Sequence, residues 1–124
     1  MSTSFTSIGL DAPDGSQRTV NNPVANDVKQ AISQVDGVHV SDLMLEIEEG
    51  ERYLTVQCDS SKQCICSVQD GETVYMLKNS SPPSSSPFPD YPIEYCVPLK
   101  QAVQACNAYA ERGIPCDDLE WDRL

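Results

Sequence analysis

The feature that most constrains this fold is an alternation of apolar and polar residues over positions 43–77, broken by short turns. Leu43, Leu45 and Ile47 would share one face of a strand, because successive side chains of a strand point to opposite faces. The Asp70-Gly71 pair is the strongest short-range signal for a hairpin turn. We therefore expect antiparallel strands near residues 43–48, 53–58, 64–69 and 73–77, connected as a meander.

Two amphipathic helices flank the predicted meander. The first is expected to begin at Asn22-Pro23, an N-cap followed by proline, and to end before Gly37. The second is expected from Pro98 to Gly113, with the glycine as its C-terminal cap. Each helix has one apolar face, which a sheet would cover. The sequence therefore predicts an α+β fold, an antiparallel β-sheet of about 5–6 strands with two α-helices packed on one face.

The remaining segments give weaker signals. Residues 5–10, 93–97 and 119–124 are predicted as further short strands, the first at the edge of the sheet. Tyr109 and Trp121 are assigned to the core. Residues 78–92 contain five prolines and five serines, which predicts an exposed Ser/Pro-rich loop. All of these segments are expected to belong to a single domain over residues 1–124.

The charge balance excludes several partners. Acidic side chains outnumber basic ones 19 to 8, which gives a net charge of −11. Affinity for nucleic acid comes chiefly from Lys and Arg, so this charge argues against direct nucleic-acid binding. No segment approaches the ~20 apolar residues of a membrane span, and the first eight residues lack a signal-peptide pattern. We expect a cytoplasmic protein with no membrane partner.

The six cysteines would suit a disulfide framework in a secreted protein. In the cytoplasm they are expected to be small buried thiols instead. A metal site built from Cys58, Cys64 and Cys66, with His39, is the alternative, but its spacing does not match the paired ligands of zinc sites. We therefore predict neither a metal nor another cofactor.

The sequence contains no glycine-rich phosphate loop and no recognisable pair of nucleophile and base. His39 is the only histidine, and we interpret it as a solvated loop residue. An enzyme with an unrecognised pair of carboxylates, as in glycosidases, stays open as an alternative. We predict no enzyme activity and no small-molecule substrate.

The acidic residues occur in clusters. Residues 41–51 contain five carboxylates and no basic residue, and residues 116–124 contain four carboxylates against Arg123 alone. A basic partner would relieve this self-repulsion. The predicted outward face of the first hairpin also contains Met44 and Tyr53, residue types that supply apolar contact area in interfaces. This mixture favours a binding surface, and a merely solvated face is the alternative.

Several segments together resemble a known family. They are the helix end Val35-Asp36-Gly37, the strand pair over residues 43–56, the helix over residues 97–113 and the closing Leu119-Glu-Trp-Asp. Over about residues 19–124 the chain resembles the first-catalogued family of bacterial polymorphic-toxin immunity proteins. The resemblance implies a small cytoplasmic α+β protein, encoded beside a toxin, that neutralises it by direct binding. The toxin in such pairs is often a nucleic-acid cytidine deaminase.

The predicted mechanism joins the charge to this resemblance. A deaminase presents a basic groove to its substrate, and an acidic protein fits that groove as a mimic of the phosphate backbone. We therefore expect a one-to-one heterodimer with the cognate toxin domain. The predicted partner-binding residues are Met44, Glu46, Glu48, Glu49, Glu51, Tyr53, Asp70, Glu72, Asp90 and Tyr91. A small acidic cytoplasmic adaptor or regulator, which binds another basic protein, is the alternative.

Overall fold

The computed structural model describes residues 4–124, which form eight β-strands and two α-helices. The strands are β1 Ser7–Asp11, β2 Gln17–Asn21, β3 Asp42–Glu48, β4 Arg52–Cys58, β5 Gln63–Asp70, β6 Thr73–Leu77, β7 Val97–Pro98 and β8 Trp121–Arg123, and the helices are α1 Ala25–Gln34 and α2 Leu99–Arg112. This confirms the predicted α+β class with an antiparallel sheet. The number of strands is higher than expected.

The strands follow the order β2-β1-β3-β4-β5-β6-β8, and every neighbouring pair is antiparallel. Strand β7 pairs with the first two residues of β5. The meander from β3 to β6 is confirmed. Strand β1 was predicted at the edge of the sheet, but it lies between β2 and β3. Strand β2 was missed because its residues are polar and mostly exposed, so it has no apolar alternation.

Both helices pack on one face of the sheet, as predicted. Helix α1 lies over β1 and β3, and α2 lies over β4 and β5. Their shared core contains Ile8, Leu45, Leu54 and Val56 from the strands and Val28, Ile32, Cys106 and Tyr109 from the helices. Tyr109 is 1% exposed, which confirms its assignment to the core. Trp121 is only partly buried at the margin of this core.

The ends of the helices differ in how well the sequence signals worked. Helix α1 begins two residues later than predicted, with Val24 as its N-cap. The carboxylate of Asp27 accepts a hydrogen bond from the Val24 amide at 3.0 Å. Asn22 is instead tied to the residue before β1, because its amide donates to the carbonyl of Thr6. Gly113 caps α2 in the left-handed conformation with φ 70°, as predicted.

The Ser/Pro-rich loop over residues 78–92 is exposed along most of its length, but two of its side chains are buried. Phe88 packs with Ile65, Met76 and Tyr95 on the sheet face opposite the helices. The side-chain amide of Asn79 donates to the carbonyl of Cys96 at 2.9 Å. The loop is therefore anchored to the sheet at β5 and β6.

The segment over residues 93–97 was predicted as a strand, and this is wrong for most of its length. Residues Ile93–Tyr95 form a turn of 3-10 helix, and only Val97 and Pro98 pair with β5. The amides of Tyr95 and Cys96 donate to carbonyls three residues earlier, which fixes the turn instead of an extended chain.

The prediction of six free thiols is wrong for two cysteines. Cys58 and Cys64 lie directly opposite each other on β4 and β5, with 4.2 Å between their Cα atoms, and form a disulfide. The other four cysteines are buried free thiols, as predicted. Burial raises the pKa of the Cys106 thiol to about 12. Among residues 4–124 no group of three or more His, Cys, Asp or Glu side chains is arranged to hold a metal ion.

Replacing both Cys58 and Cys64 with alanine is expected to lower the free energy of unfolding. The disulfide joins residues six positions apart, and closing such a short loop is worth about 2 kcal/mol in the chain-entropy model. Urea unfolding with and without dithiothreitol measures the effect. The reductant should destabilise the wild type by a similar amount and leave the double variant unchanged. Cys66→Ala, which removes a free thiol from β5, should stay sensitive to the reductant.

Candidate partner-binding surface

The sheet face opposite the helices is the outward face, and it contains three of the predicted site residues, Met44, Glu46 and Tyr53. Met44 lies opposite Thr55, and Glu46 lies opposite Tyr53. Their neighbours Leu43 and Leu45 are buried under the helices. Because residues alternate along a strand, Met44, Glu46 and Tyr53 face outward, as predicted.

Glu46 and Tyr53 are held in place by hydrogen bonds across the sheet. The hydroxyl of Ser7 donates to Glu46 Oε1 at 3.1 Å, and the Gly50 amide donates to Oε2 at 3.3 Å. The Tyr53 hydroxyl donates to Gln69 Oε1 at 2.8 Å. Fixed side chains lose less conformational entropy on binding than free ones, so Glu46 and Tyr53 would bind a partner at a lower entropic cost.

Glu48 was predicted on the same outward row, and the structure places it elsewhere. The register between β3 and β4 shifts between Glu46 and Glu48, so that Glu48 lies opposite Arg52. The Arg52 guanidinium donates to the carbonyl of Gly113 at the end of α2, which places it on the helix side. A β-bulge of this kind re-aims the residues that follow it.

Two hairpin tips form an acidic end of the sheet, made by Glu48, Glu49, Glu51, Asp70 and Glu72. The Gly71 amide donates to the carbonyl of Glu51 at 2.8 Å, which brings the two tips together. Arg52 is the basic residue there, and its nitrogens lie 3.5 Å from the carboxylates of Glu48 and Asp70. No salt bridge within residues 4–124 involves the exposed Glu49, Glu51 or Glu72.

The two remaining predicted residues, Asp90 and Tyr91, lie away from the acidic end. Tyr91 lines a groove with Gln57 and Ile65, near the turn between β4 and β5. That turn is at the opposite end of the strands from the two acidic hairpin tips. Asp90 is exposed beside Tyr91. The predicted residues therefore separate into three groups: Met44, Glu46 and Tyr53 on the outward face, the acidic end, and Asp90 with Tyr91 on the loop.

The groove beside Tyr91, which we term the outer groove, has a volume of about 450 Å³. Asp11, Asp42, Met44 and Gln57 line it together with Tyr91. Burial raises the pKa of the Asp42 carboxyl above its ordinary value, and the carboxylate of Asp11 raises it further. The hydroxyl of Ser41, 3.0 Å from Asp42 Oδ2, acts in the opposite direction.

Sequence reasoning missed this groove. Asp42 was counted in the acidic segment over residues 41–51, but Asp11 was not considered, because nothing local links the two. They are brought together by the pairing of β1 with β3, in which Asp11 lies directly opposite Asp42. The chain Ala-Pro-Asp-Gly-Ser after Asp11 predicted only a turn.

Replacing Asp42 with asparagine is expected to stabilise the protein at neutral pH. The raised pKa of Asp42 means that folding disfavours its charged form, so the wild type loses stability as the pH rises above the ordinary value of 3.8. Removing a like charge between paired strands should add up to about 1 kcal/mol at pH 7. Urea unfolding should show no such gain near pH 3, where the carboxyl is protonated in both states. Glu49→Gln, at the exposed hairpin tip, should show no gain at either pH.

His39 and Asp36 form the closest pairing of a base with a carboxylate. His39 Nδ1 lies 2.6 Å from Asp36 Oδ2, and the side chain of His39 is 84% exposed. Hydrogen bonds from His39 and from the Val38 amide hold the pKa of Asp36 well below its ordinary value. This geometry is that of a loop turn closed by an aspartate side chain. No serine, threonine or cysteine in residues 4–124 donates to the imidazole, so no nucleophile is paired with it.

Comparisons with protein-family models, with curated protein sequences and with solved structures gave no match. Within residues 4–124 neither helix is long and apolar enough to cross a membrane. The candidate surface therefore rests on its own geometry: an acidic end, a sheet face that the helices leave uncovered and that Phe88 and Tyr95 cover only at β5 and β6, and a groove with paired carboxylates.

Proposed function

We propose that this chain is an immunity protein that binds and inhibits a cognate bacterial toxin, a nucleic-acid cytidine deaminase, by occluding its basic substrate groove. The observation that carries the proposal is the position of the acidic end. Two hairpins place five carboxylates beside a sheet face that the helices leave uncovered. An acidic edge of this kind complements the charge of a groove built to hold phosphates.

The charges at the acidic end favour a basic partner over simple solubility. Glu49, Glu51 and Glu72 are exposed, and the contact of Gly71 with Glu51 fixes their hairpins side by side. Concentrated charge of one sign steers a partner of the opposite sign and accelerates its association. Tyr53 and Met44 on the adjoining face add apolar contact area, which gives an interface its affinity.

Co-expression with the toxin domain that the proposal expects to be encoded beside this gene tests the proposal. We expect the immunity protein to restore growth of cells that produce the deaminase, and to elute with it as a one-to-one complex in gel filtration. No rescue and no complex would refute the proposal. Capture of a different basic protein without any rescue would instead support the adaptor alternative.

One observation favours an enzyme as the second candidate. Asp11 and Asp42 form a carboxylate pair in a groove, and the pKa of Asp42 is raised, as expected for a general acid. A panel of chromogenic glycosides tests this activity. Hydrolysis by the wild type that is lost in Asp42→Asn would support the enzyme. The absence of hydrolysis would exclude glycosidase activity as a function.

The compartment that the proposed function requires is the bacterial cytoplasm, where a deaminase meets its substrate. Four buried free thiols are compatible with a reducing compartment, whereas disulfides such as Cys58–Cys64 are rare there. Alkylation of the protein in intact cells, followed by mass spectrometry under denaturing conditions, reads the state of this pair. Reduced Cys58 and Cys64 would support the cytoplasm, and a fully retained disulfide would contradict it.

A further inference from the structure

The outer groove contains two carboxylates that the fold does not neutralise. Asp11 and Asp42 lie directly opposite each other on β1 and β3, and both are partly buried. No salt bridge within residues 4–124 involves either of them. Like charges directly opposite on neighbouring strands destabilise a sheet. A cation supplied from outside the chain would remove this cost.

Arg18 lines the same groove, but it does not supply that cation. Its guanidinium donates to the side chain of Gln34, the last residue of α1. In β2, Arg18 lies opposite Leu10, whose side chain is buried in the core under the helices. Because directly paired residues point to the same face, the Arg18 side chain is on the helix side.

The other walls of the groove suit a planar cation. Tyr91 is 41% exposed although it is aromatic, and Met44 contributes apolar surface beside it. The position of Tyr91 is fixed by Phe88, which is buried against Ile65, and the Tyr91 amide donates to the Phe88 carbonyl at 3.2 Å. A guanidinium stacks on aromatic rings and bonds to carboxylates through a planar fork, which an ammonium group does not do.

We propose that the outer groove binds an arginine side chain presented by the partner protein, with its guanidinium between Asp11 and Asp42. The aliphatic stem lies along Met44, and Tyr91 covers the planar group. The inference rests on the proposed function only in taking the partner to be a basic protein. A groove of about 450 Å³ on the sheet face opposite the helices admits an arginine from a partner's exposed loop.

A titration of the full chain with Nα-acetyl-L-arginine amide tests this site without any toxin. The carbon-13 shifts of the Asp11 and Asp42 carboxyl groups are followed by NMR in about 150 mM NaCl, which screens exposed charges. We expect saturable shifts with a Kd on the order of 10 mM, as befits a single side chain. Nα-acetyl-L-citrulline amide has the same shape without the charge and should produce no saturable shift.

Three variants assign the binding to the groove. Asp42→Asn should weaken binding of the arginine amide about tenfold, because it removes one charge-assisted contact. Tyr91→Leu should weaken this binding about threefold, because it removes the aromatic ring on which the guanidinium stacks. Asp118→Asn removes an exposed charge outside both the groove and the two acidic hairpins, and it should leave the Kd unchanged.

The outcomes separate this inference from the proposed function. Saturable shifts confined to the groove support the site, even if co-expression with the deaminase fails. Equal shifts with the citrulline compound, or an unchanged Kd in Asp42→Asn, would overturn it. If the protein rescues growth while its titration shows no saturable shift, the groove is excluded as an arginine-binding site and the proposed immunity function is unaffected.

Discussion

Reversing the charges of Glu49, Glu51 and Glu72 to lysine is expected to weaken binding of the deaminase domain at least about 100-fold. These carboxylates are exposed at the tips of two adjacent hairpins, where the structure provides no salt-bridge partner for them within residues 4–124. In the proposed complex they face the toxin's Lys and Arg, so the reversal replaces attraction with repulsion. Both slower association and faster dissociation should follow.

The same change should leave the fold intact. Exposed substitutions away from caps, cores and strained turns alter stability by only about 0.5 kcal/mol. Glu48 and Asp70 are left unchanged, because Arg52 pairs with both and also bonds to the end of α2. A loss of binding in the triple variant therefore reports on the interface and not on unfolding, which circular dichroism and urea unfolding verify.

A matched control separates local contact from total charge. Glu111, Asp117 and Asp118 are also exposed acidic residues, and they lie outside the two hairpins. Their reversal to lysine changes the net charge by the same amount. Surface plasmon resonance at low and high NaCl should show a large loss for the hairpin variant and a small one for the control. Equal losses, or none in either variant, would remove the acidic end from the interface.

The central hairpins were predictable because their signals are local. Alternation fixes the buried face of β3 and β4, and Asp70-Gly71 marks the turn before β6. The second helix was predictable for the same reason, since Gly113 takes the left-handed conformation that a helix C-terminus favours. Strand β2 has no such signal, because both of its faces are largely exposed.

The loop over residues 78–92 shows a different limit. Its composition predicts an exposed chain, and this holds for most residues. Composition does not reveal that Phe88 packs on Ile65 and Met76, because that contact depends on where the sheet lies. The anchoring of Phe88 is what places Tyr91 at the outer groove.

The candidate site was predictable in the same unequal way. The acidic residues of the two hairpins were identified from the sequence, because they are close together along the chain. The register shift that turns Glu48 toward Arg52 was not, since a β-bulge leaves no clear mark in an alternating pattern. The pairing of Asp11 with Asp42 joins residues from the first and third strands, and it follows only from the order of the sheet.

Replacing Gly37 with alanine is expected to lower the free energy of unfolding by about 3 kcal/mol, for two separate reasons. Gly37 has φ +79°, a conformation that costs an L-residue about 1 kcal/mol. A Cβ atom there would also lie only 1.8 Å from the carbonyl oxygen of Asp59. That oxygen belongs to the turn after β4 and accepts a hydrogen bond from the Lys62 amide, so backbone must move to make room.

Gly50→Ala measures the first reason alone, so its difference from Gly37→Ala isolates the second. Gly50 has φ +73°, close to that of Gly37, but open space surrounds the position of its Cβ. Its replacement should therefore cost about 1 kcal/mol, which is the conformational part alone. Urea unfolding of both variants measures the difference, which we assign to the contact between the loop after α1 and the turn after β4. Equal losses in the two variants would mean that these segments are not in close contact, and the packing of α1 against the sheet would need a different arrangement.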